Sequence, residues 1–338
     1  QIKQEIARLY RENRNLMKED IFGEDERELY YQTTVKMDDV TAQDSLRNLS
    51  EWMERYYGKK VIILLDEYDT PMQEAYVQGY WDEFTAFVRS LFNASFKTNP
   101  YLERAIMTGI TRVSKESIFS DLNNLQVITT TSDLYADCFG FTESEVFHVL
   151  DEFGMGDKKD EVKQWYDGFT FGEHKDIYNP WSITNYLDKR KTYPYWASTS
   201  SNGLVSRLIR TASADVKEKM EDLLNGREIV VSFDEQIVYN QLDHNENAIW
   251  SLLLASGYLK VKHVDYRGIT REPWYTLDIT NIETLSMFTT MFQDWFQNQD
   301  ANYGYFMKAL INGDLEAMNY YMNKVALATF SYFDVGSG

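Results

Sequence analysis

The run Val61-Ile62-Ile63-Leu64-Leu65-Asp66-Glu67-Tyr68-Asp69 constrains this chain more than any other stretch. Its apolar residues do not alternate with polar ones. That pattern predicts a strand buried on both faces, as in a parallel α/β sheet. The carboxylates that follow then fall at the carboxyl end of the strand, where such sheets open their ligand crevice. Pro71 closes the loop behind them. Residues 80–97 predict an amphipathic helix, with Phe84, Phe87, Val88, Leu91 and Phe92 on its apolar face and Asn99-Pro100 breaking it. Residues 104–108 read as a second short strand, ending at Gly109. Strand, helix and strand at this spacing make a βαβ unit with a right-handed crossover.

An apolar strand ending in Asp-Glu is the pattern of the Walker B segment of P-loop nucleoside triphosphatases. The chemistry explains the residue types. Asp66 would order the water shell of a Mg²⁺ ion on nucleotide phosphates. Glu67 would polarise the attacking water as general base. Thr108, Thr111 and Arg112 stand where a polar sensor at the end of the neighbouring strand touches the γ-phosphate side. A plainer role is open to each: strand-end acids meet solvent, threonines make turns, and arginines decorate surfaces. The partner motif, G-x-x-x-x-G-K-[ST], does not occur in these 338 residues. Gly58-Lys59-Lys60 has no glycine five residues upstream and precedes a strand, not a helix. Nothing in the sequence therefore cradles the β- and γ-phosphates, and Mg²⁺ on two carboxylates alone should be held weakly.

The rest of the chain reads as mostly helical. Residues 1–58 read as helices, with the polar, acidic stretch of about 19–39 expected as a loop or short helices. Thr41-x-x-Asp44 opens one that carries Leu46, Leu49, Met53 and Tyr56 on one face and stops at Gly58. From Ser114 the chain returns to helices. Thr142-x-x-Glu145 is a capping box for residues 146–153, and Asn179-Pro180 starts a helix over 181–187. Further helices are expected near 204–210 and 214–225. A strand over 228–233, an apolar helix over 246–256 and a hairpin over 258–264 and 269–277 draw the outline of a winged helix. Residues 281–333 read as helical. The expected fold is α/β and α: a partial P-loop-type parallel sheet with helices, then a mostly helical, winged-helix-like region. The expected division is 1–140, a partial P-loop core; 141–227, a helical extension; and 228–334, the winged-helix-like and helical region.

Composition narrows the function classes. With 34 Lys and Arg against 53 Asp and Glu the formal charge is −19. A broad phosphate-tracking surface for nucleic acid is not supported by that balance, although a local basic patch is compatible with it. One cysteine, Cys138, permits no disulfide within the chain and no Cys cluster for zinc, which fits a cytoplasmic setting. The four histidines show no metal-ligand spacing. No run of 18 apolar residues exists, so no membrane span is expected. Nuclease chemistry needs an Asp and then a Glu-x-Lys on paired strands, and neither 162–166 nor 254–260 offers it. The 24 tyrosines fall mostly at helical spacing beside apolar residues and are expected in the core, not in base stacking.

Several stretches, in order, resemble a known family: Leu65-Asp-Glu-Tyr-Asp-Thr-Pro71; Met107-Thr-Gly-Ile-Thr-Arg-Val-Ser-Lys-Glu-Ser-Ile-Phe119; Trp165-Tyr-Asp-Gly-Phe169; Tyr178-Asn-Pro-Trp-Ser182; Tyr195-Trp-Ala-Ser198; and Trp250-Ser-Leu-Leu-Leu-Ala-Ser-Gly-Tyr-Leu259. From about Val40 onward the chain is similar to the bacterial AAA-ATPase-like proteins, which are usually followed by a PD-(D/E)XK nuclease-like domain. The resemblance implies that Asp66 and Glu67 match the Walker B residues and that Arg112 falls in a sensor-like segment. It implies ATP and Mg as cofactors of the parent protein, with a phosphate-binding loop expected before Gln1 and the nuclease-like domain expected after Asp334. On this reading the chain is a middle portion of an ATP hydrolase and is inactive alone. The competing expectation is a non-catalytic scaffold with a degenerate core that binds protein or nucleic acid. The Trp165–Phe169 and Asn179–Ser182 motifs are expected to serve turns and packing.

Overall fold

The computed structural model describes residues 2–18, 21–110, 122, 124–199, 203–234, 245–298, 309 and 313–329. Helices α1 (Ile2–Glu12), α2 (Glu24–Gln32) and α3 (Asp39–Tyr57) pack their apolar faces around Tyr10, Tyr30 and Trp52. The hydroxyl of Tyr10 donates to the Ser45 carbonyl at 2.8 Å, so its burial leaves no polar group unpaired. The cap of α3 is Asp38, whose carboxylate accepts from the Thr41 N–H at 2.7 Å. The helix therefore starts earlier than the expected cap at Thr41, which turns out to be a donor within the first turn. Gly58 ends α3 at φ +64°, a left-handed conformation that glycine adopts without strain.

Strands β1 (Val61–Leu65) and β2 (Leu102–Met107) pair in parallel, with Val61 opposite Leu102 and Leu65 opposite Met107. The crossover between them is α4 (Thr70–Gln78), α5 (Trp81–Phe92) and a π-helical turn at Asn93–Lys97. Ile63, Leu65, Ala105 and Met107 face inward onto the main core. The opposite face is bare: Ile62 is 61% exposed, Leu64 72% and Ile106 50%. This corrects the expectation of a strand buried on both faces. Among the described residues β1 and β2 are the whole sheet, and no layer covers its outer side.

Residues 124–140 form turns and bends where helices were expected, while 114–121 lie outside the described residues. The middle region is not purely helical either. β3 (Phe141–Thr142), β4 (Phe169–Phe171) and β5 (His174–Tyr178) make an antiparallel sheet in the order β3-β5-β4. Helices α6 (Glu143–Glu152), α7 (Lys159–Tyr166) and α8 (Pro180–Lys189) pack around it on Val146, Leu150, Val162, Tyr166, Tyr178 and Ile183. The two caps read from sequence are present. Thr142 and Glu145 form the capping box of α6, and the Asn179 side chain accepts from the N–H groups of Trp181 and Ser182.

Helices α9 (Gly203–Thr211) and α10 (Ala214–Leu224) share one core with β6 (Ile229–Val231), α11 (Ala248–Ala255), β7 (Leu259–Arg267), β8 (Glu272–Ile279) and α12 (Ile282–Asn298). The same core reaches Met72 on α4 and Val88, Leu91 and Phe92 on α5. The sheet order is β6-β8-β7, antiparallel throughout. Helix α11 is apolar all round, and Ala248 through Leu254 are all buried. Helix α13 (Leu315–Thr329) follows. Among the described residues no helix is long and apolar enough to cross a membrane.

One buried side chain ties these parts together. Glu283, in the first turn of α12, has no solvent exposure. Its carboxylate accepts from the Ser182 hydroxyl at 2.8 Å, the Trp196 N–H at 2.7 Å and the Ala197 N–H at 3.4 Å. Burial pushes its carboxyl above the usual range, and these three donors pull the other way. Replacing Glu283 by Ala strands buried donors on two other segments, each costing about 1–3 kcal/mol. In urea unfolding Glu283→Ala is expected to lose about 2–4 kcal/mol, and Glu283→Gln, which keeps an acceptor oxygen, distinctly less. An Ala variant as stable as the parent would contradict this assignment.

Candidate functional site

At the carboxyl end of the parallel pair the ladder runs one step past the strands. The Thr108 N–H donates to the Leu65 carbonyl at 2.9 Å, and the Tyr68 N–H donates to the Thr108 carbonyl at 3.0 Å. This brings Asp66, Glu67 and Thr108 together. The Thr108 hydroxyl donates to Asp66 Oδ1, and the Glu67 N–H lies 3.1 Å from the same oxygen and 3.4 Å from Thr108 Oγ1. Asp66, Glu67 and Thr108 thus form one polar cluster, with both carboxylates exposed. Thr111 and Arg112 lie outside the described residues.

The backbone here is unusual. Glu67 has φ +51°, a left-handed conformation that costs a non-glycine residue energy and that clusters at functional sites. The step turns the chain sharply from β1 into α4, with Asp69 buried at the helix start. Gly109 lies against that turn: a Cβ there would meet Asp69 Oδ1 at 2.6 Å and Tyr68 Cε1 at 2.7 Å. The sequence pattern points to the Asp-Glu pair but carries no sign of the left-handed Glu67 or the fit of Gly109. Glu67 joins the cluster through its backbone N–H, and the exposed Asp66 carboxylate is an oxygen donor of the kind that suits a hard divalent cation such as Mg²⁺.

A second cluster takes in Asp167, which the sequence marks only as part of a turn motif, together with charges that no sequence pattern marks. The ammonium of Lys163 (α7) pairs with Glu143 (α6) and lies 3.8 Å from Asp167 Oδ2 and 3.7 Å from Asp176 Oδ1 (β5). The three carboxylates have oxygens within 4.8 Å of one another, as metal ligands do. Here the lysine takes the cation's place among them. Burial, then a hydrogen bond and charge repulsion from Asp176, push the Asp167 carboxyl up to about 6. The hydrogen bond that Lys163 donates to Glu143 raises the lysine above its ordinary value. Beside it a cleft of about 280 Å³ is lined by Lys163, Asp167, Lys260, Asp278 and Asn281. Gly168 follows Asp167 at φ +125°, and a Cβ there would run into the Thr280 carbonyl oxygen. The same carbonyl accepts from Lys260 Nζ at 2.9 Å. The Trp165–Phe169 motif is thus a close crossing of α7 and β4 with the end of β8. Its signal in the sequence was the glycine, not the charges, which come from separate segments.

Residues 3–119 match the model of a family described as predicted AAA-ATPase. A protein of Azotobacter chroococcum mcd 1, described as an uncharacterized protein in the vnfD 5' region, is 28% identical over 228 residues. The match covers 67% of this chain and 41% of that protein's length, so the chain spans less than half of this relative. No solved structure matches the chain.

The Asp167 cluster carries a pH signature. Free aspartate titrates near 3.9, well below the value of about 6 in the folded chain. Between these values the folded state keeps a proton that the unfolded state has released. The resulting stability is complete below about pH 4 and is lost as pH rises through about 6. Asp167→Asn removes this dependence. Its melting temperature, measured against the parent, is expected to improve by about 2–4 °C between about pH 4.5 and about pH 7.5. A difference that stays constant with pH would contradict the assignment.

Proposed function

We propose, from the premise that the chain belongs over residues 3–119 to the AAA-ATPase-like family, that the end of β1 and β2 is the magnesium and water-activating side of an ATP-hydrolysing site. The observation that carries the reading is the convergence of Asp66, Glu67 and Thr108 on one exposed cluster, set by a left-handed residue. Asp66 is fixed by the Thr108 hydroxyl and would hold the ion through its water shell. A bound Mg²⁺ would neutralise charge on the nucleotide phosphates. Glu67, with its carboxylate exposed to solvent, would take the proton of the attacking water. Thr108 orients Asp66 by its hydroxyl, with Thr111 and Arg112 proposed on the phosphate side.

The phosphate-binding loop is supplied, on this reading, by polypeptide other than residues 1–338. The bare apolar outer face of Ile62, Leu64 and Ile106 supports that, because parallel sheets are covered on both sides. The strand order β6-β8-β7 with α11 before the hairpin supports a winged-helix-like unit following the core. Hydrolysis by the whole protein and its association with a nuclease-like domain belong to the same proposal.

In the full-length protein Glu67→Gln is expected to lower ATP turnover by about 100-fold or more and to leave nucleotide affinity within about twofold of the parent. Retained turnover in Glu67→Gln sinks the assignment.

A further inference from the structure

The β7–β8 hairpin is the one element of the proposed winged-helix-like unit whose end stands free among the described residues. Helix α11, which precedes it, is buried all round. It therefore has no face to lay in a major groove, the usual docking mode of a recognition helix. The hairpin differs. From Asp265 to Glu272 every residue is exposed, and Ile269 at the tip is fully open at 103%. An isoleucine has no solubility role in such a place.

Two arginines flank it. The Arg267 guanidinium stacks over the Trp274 ring at 4.2 Å, and Arg271 stacks over the Tyr266 ring at 5.1 Å. These stacks hold both cations on the rigid end of a paired hairpin. Among the described residues neither arginine forms an ion pair. The nearby carboxylates are engaged elsewhere: Asp265 with His263 at 3.0 Å, and Glu272 with the Ser232 hydroxyl at 2.7 Å. Over the hairpin, residues 259–279, the cations Lys260, Lys262, Arg267 and Arg271 outnumber Asp265, Glu272 and Asp278, a net of +1 in a chain of −19. The local charge is opposite to that of the molecule.

Arginines flanking an exposed apolar wedge match the chemistry of the DNA minor groove. There guanidinium groups seek the enhanced negative potential and a side chain such as Ile lies against the bases. We propose that the hairpin tip, residues 266–271, is a contact for B-form DNA. Arg267 and Arg271 meet the groove-edge phosphates and Ile269 enters the minor groove. With α11 buried, the contact reads groove shape and not base sequence. The proposal does not depend on the nucleotide site.

The test is fluorescence anisotropy of the protein with a labelled A·T-rich duplex of about 20 base pairs, between about 50 and 200 mM salt. Binding is expected with a dissociation constant on the order of 10⁻⁴–10⁻⁶ M at physiological salt. Arg267→Ala with Arg271→Ala should weaken binding about tenfold or more and lower the slope of log affinity against log salt by about 2. Ile269→Ala should leave that slope unchanged and reduce the preference for A·T-rich over G·C-rich duplex. The tip is exposed and only two ring stacks are lost, so these variants stay folded, with melting temperatures within about 3 °C of the parent's. The proposal is overturned if the double variant binds with the parent's affinity and slope, or if no duplex binds at the lowest salt. Competition by poly-glutamate peptide as strong as by duplex would also overturn it, because the tip would then fit an acidic protein.

Discussion

The carboxylate of Glu283 is where three distant stretches of the chain meet. It begins α12, accepts from Ser182 on α8, and accepts from the backbone of Trp196 and Ala197 between α8 and α9. A fully buried acid is tolerable only when its oxygens are satisfied, and here they are. The geometry demands that α8 start where the Asn179 cap starts it, so that Ser182 falls in its first turn. It also places α12 directly after β8, whose end is pinned by Lys260 and by the close approach of Gly168 to Thr280. The antiparallel units therefore rest on one another through contacts at their ends, while each keeps an apolar core of its own.

The parallel pair is built differently. β1 and β2 are joined by α4 and α5, and their inner face rests on the core that also holds α9 to α12. Their outer face leaves Ile62, Leu64 and Ile106 in water. Covering a side chain of that kind is worth about 1.5–3 kcal/mol. A two-stranded sheet gains little stability alone. The unbroken apolar run is thus suited to a larger sheet than the one formed here. The proposed site lies at the end of this pair, where the left-handed Glu67 follows Asp66 and the Thr108 hydroxyl steadies the Asp66 carboxylate.

Legibility in the sequence followed the range of the interaction. The strand Val61–Leu65, the cap at Asn179, the capping box of Thr142 and Glu145 and the β7–β8 hairpin all rest on residues a few positions apart. Each was readable. The Asp66–Glu67 pair was readable for the same reason, whereas its bond to Thr108 spans 42 residues and only the inferred parallel pairing hinted at it. The sheet β3-β5-β4 leaves little trace in the sequence because its strands are short and β5, His174–Tyr178, begins with polar residues. The charges around Lys163 come from α6, α7 and β5 and share no spacing. Burial of β1 on both faces follows from its unalternating apolar run, but exposure depends on which layers surround a sheet, and that is not encoded in the strand.

Two acidic clusters compete for the role of cation site: the ion is proposed at Asp66, and a lysine fills the other. Electron paramagnetic resonance of Mn²⁺ titrated into the full-length protein with ATP separates them. Asp66→Asn is expected to abolish the protein-bound Mn²⁺ signal, while Asp176→Asn leaves it intact. Unchanged binding in Asp66→Asn, or loss of the signal in Asp176→Asn, would contradict that assignment.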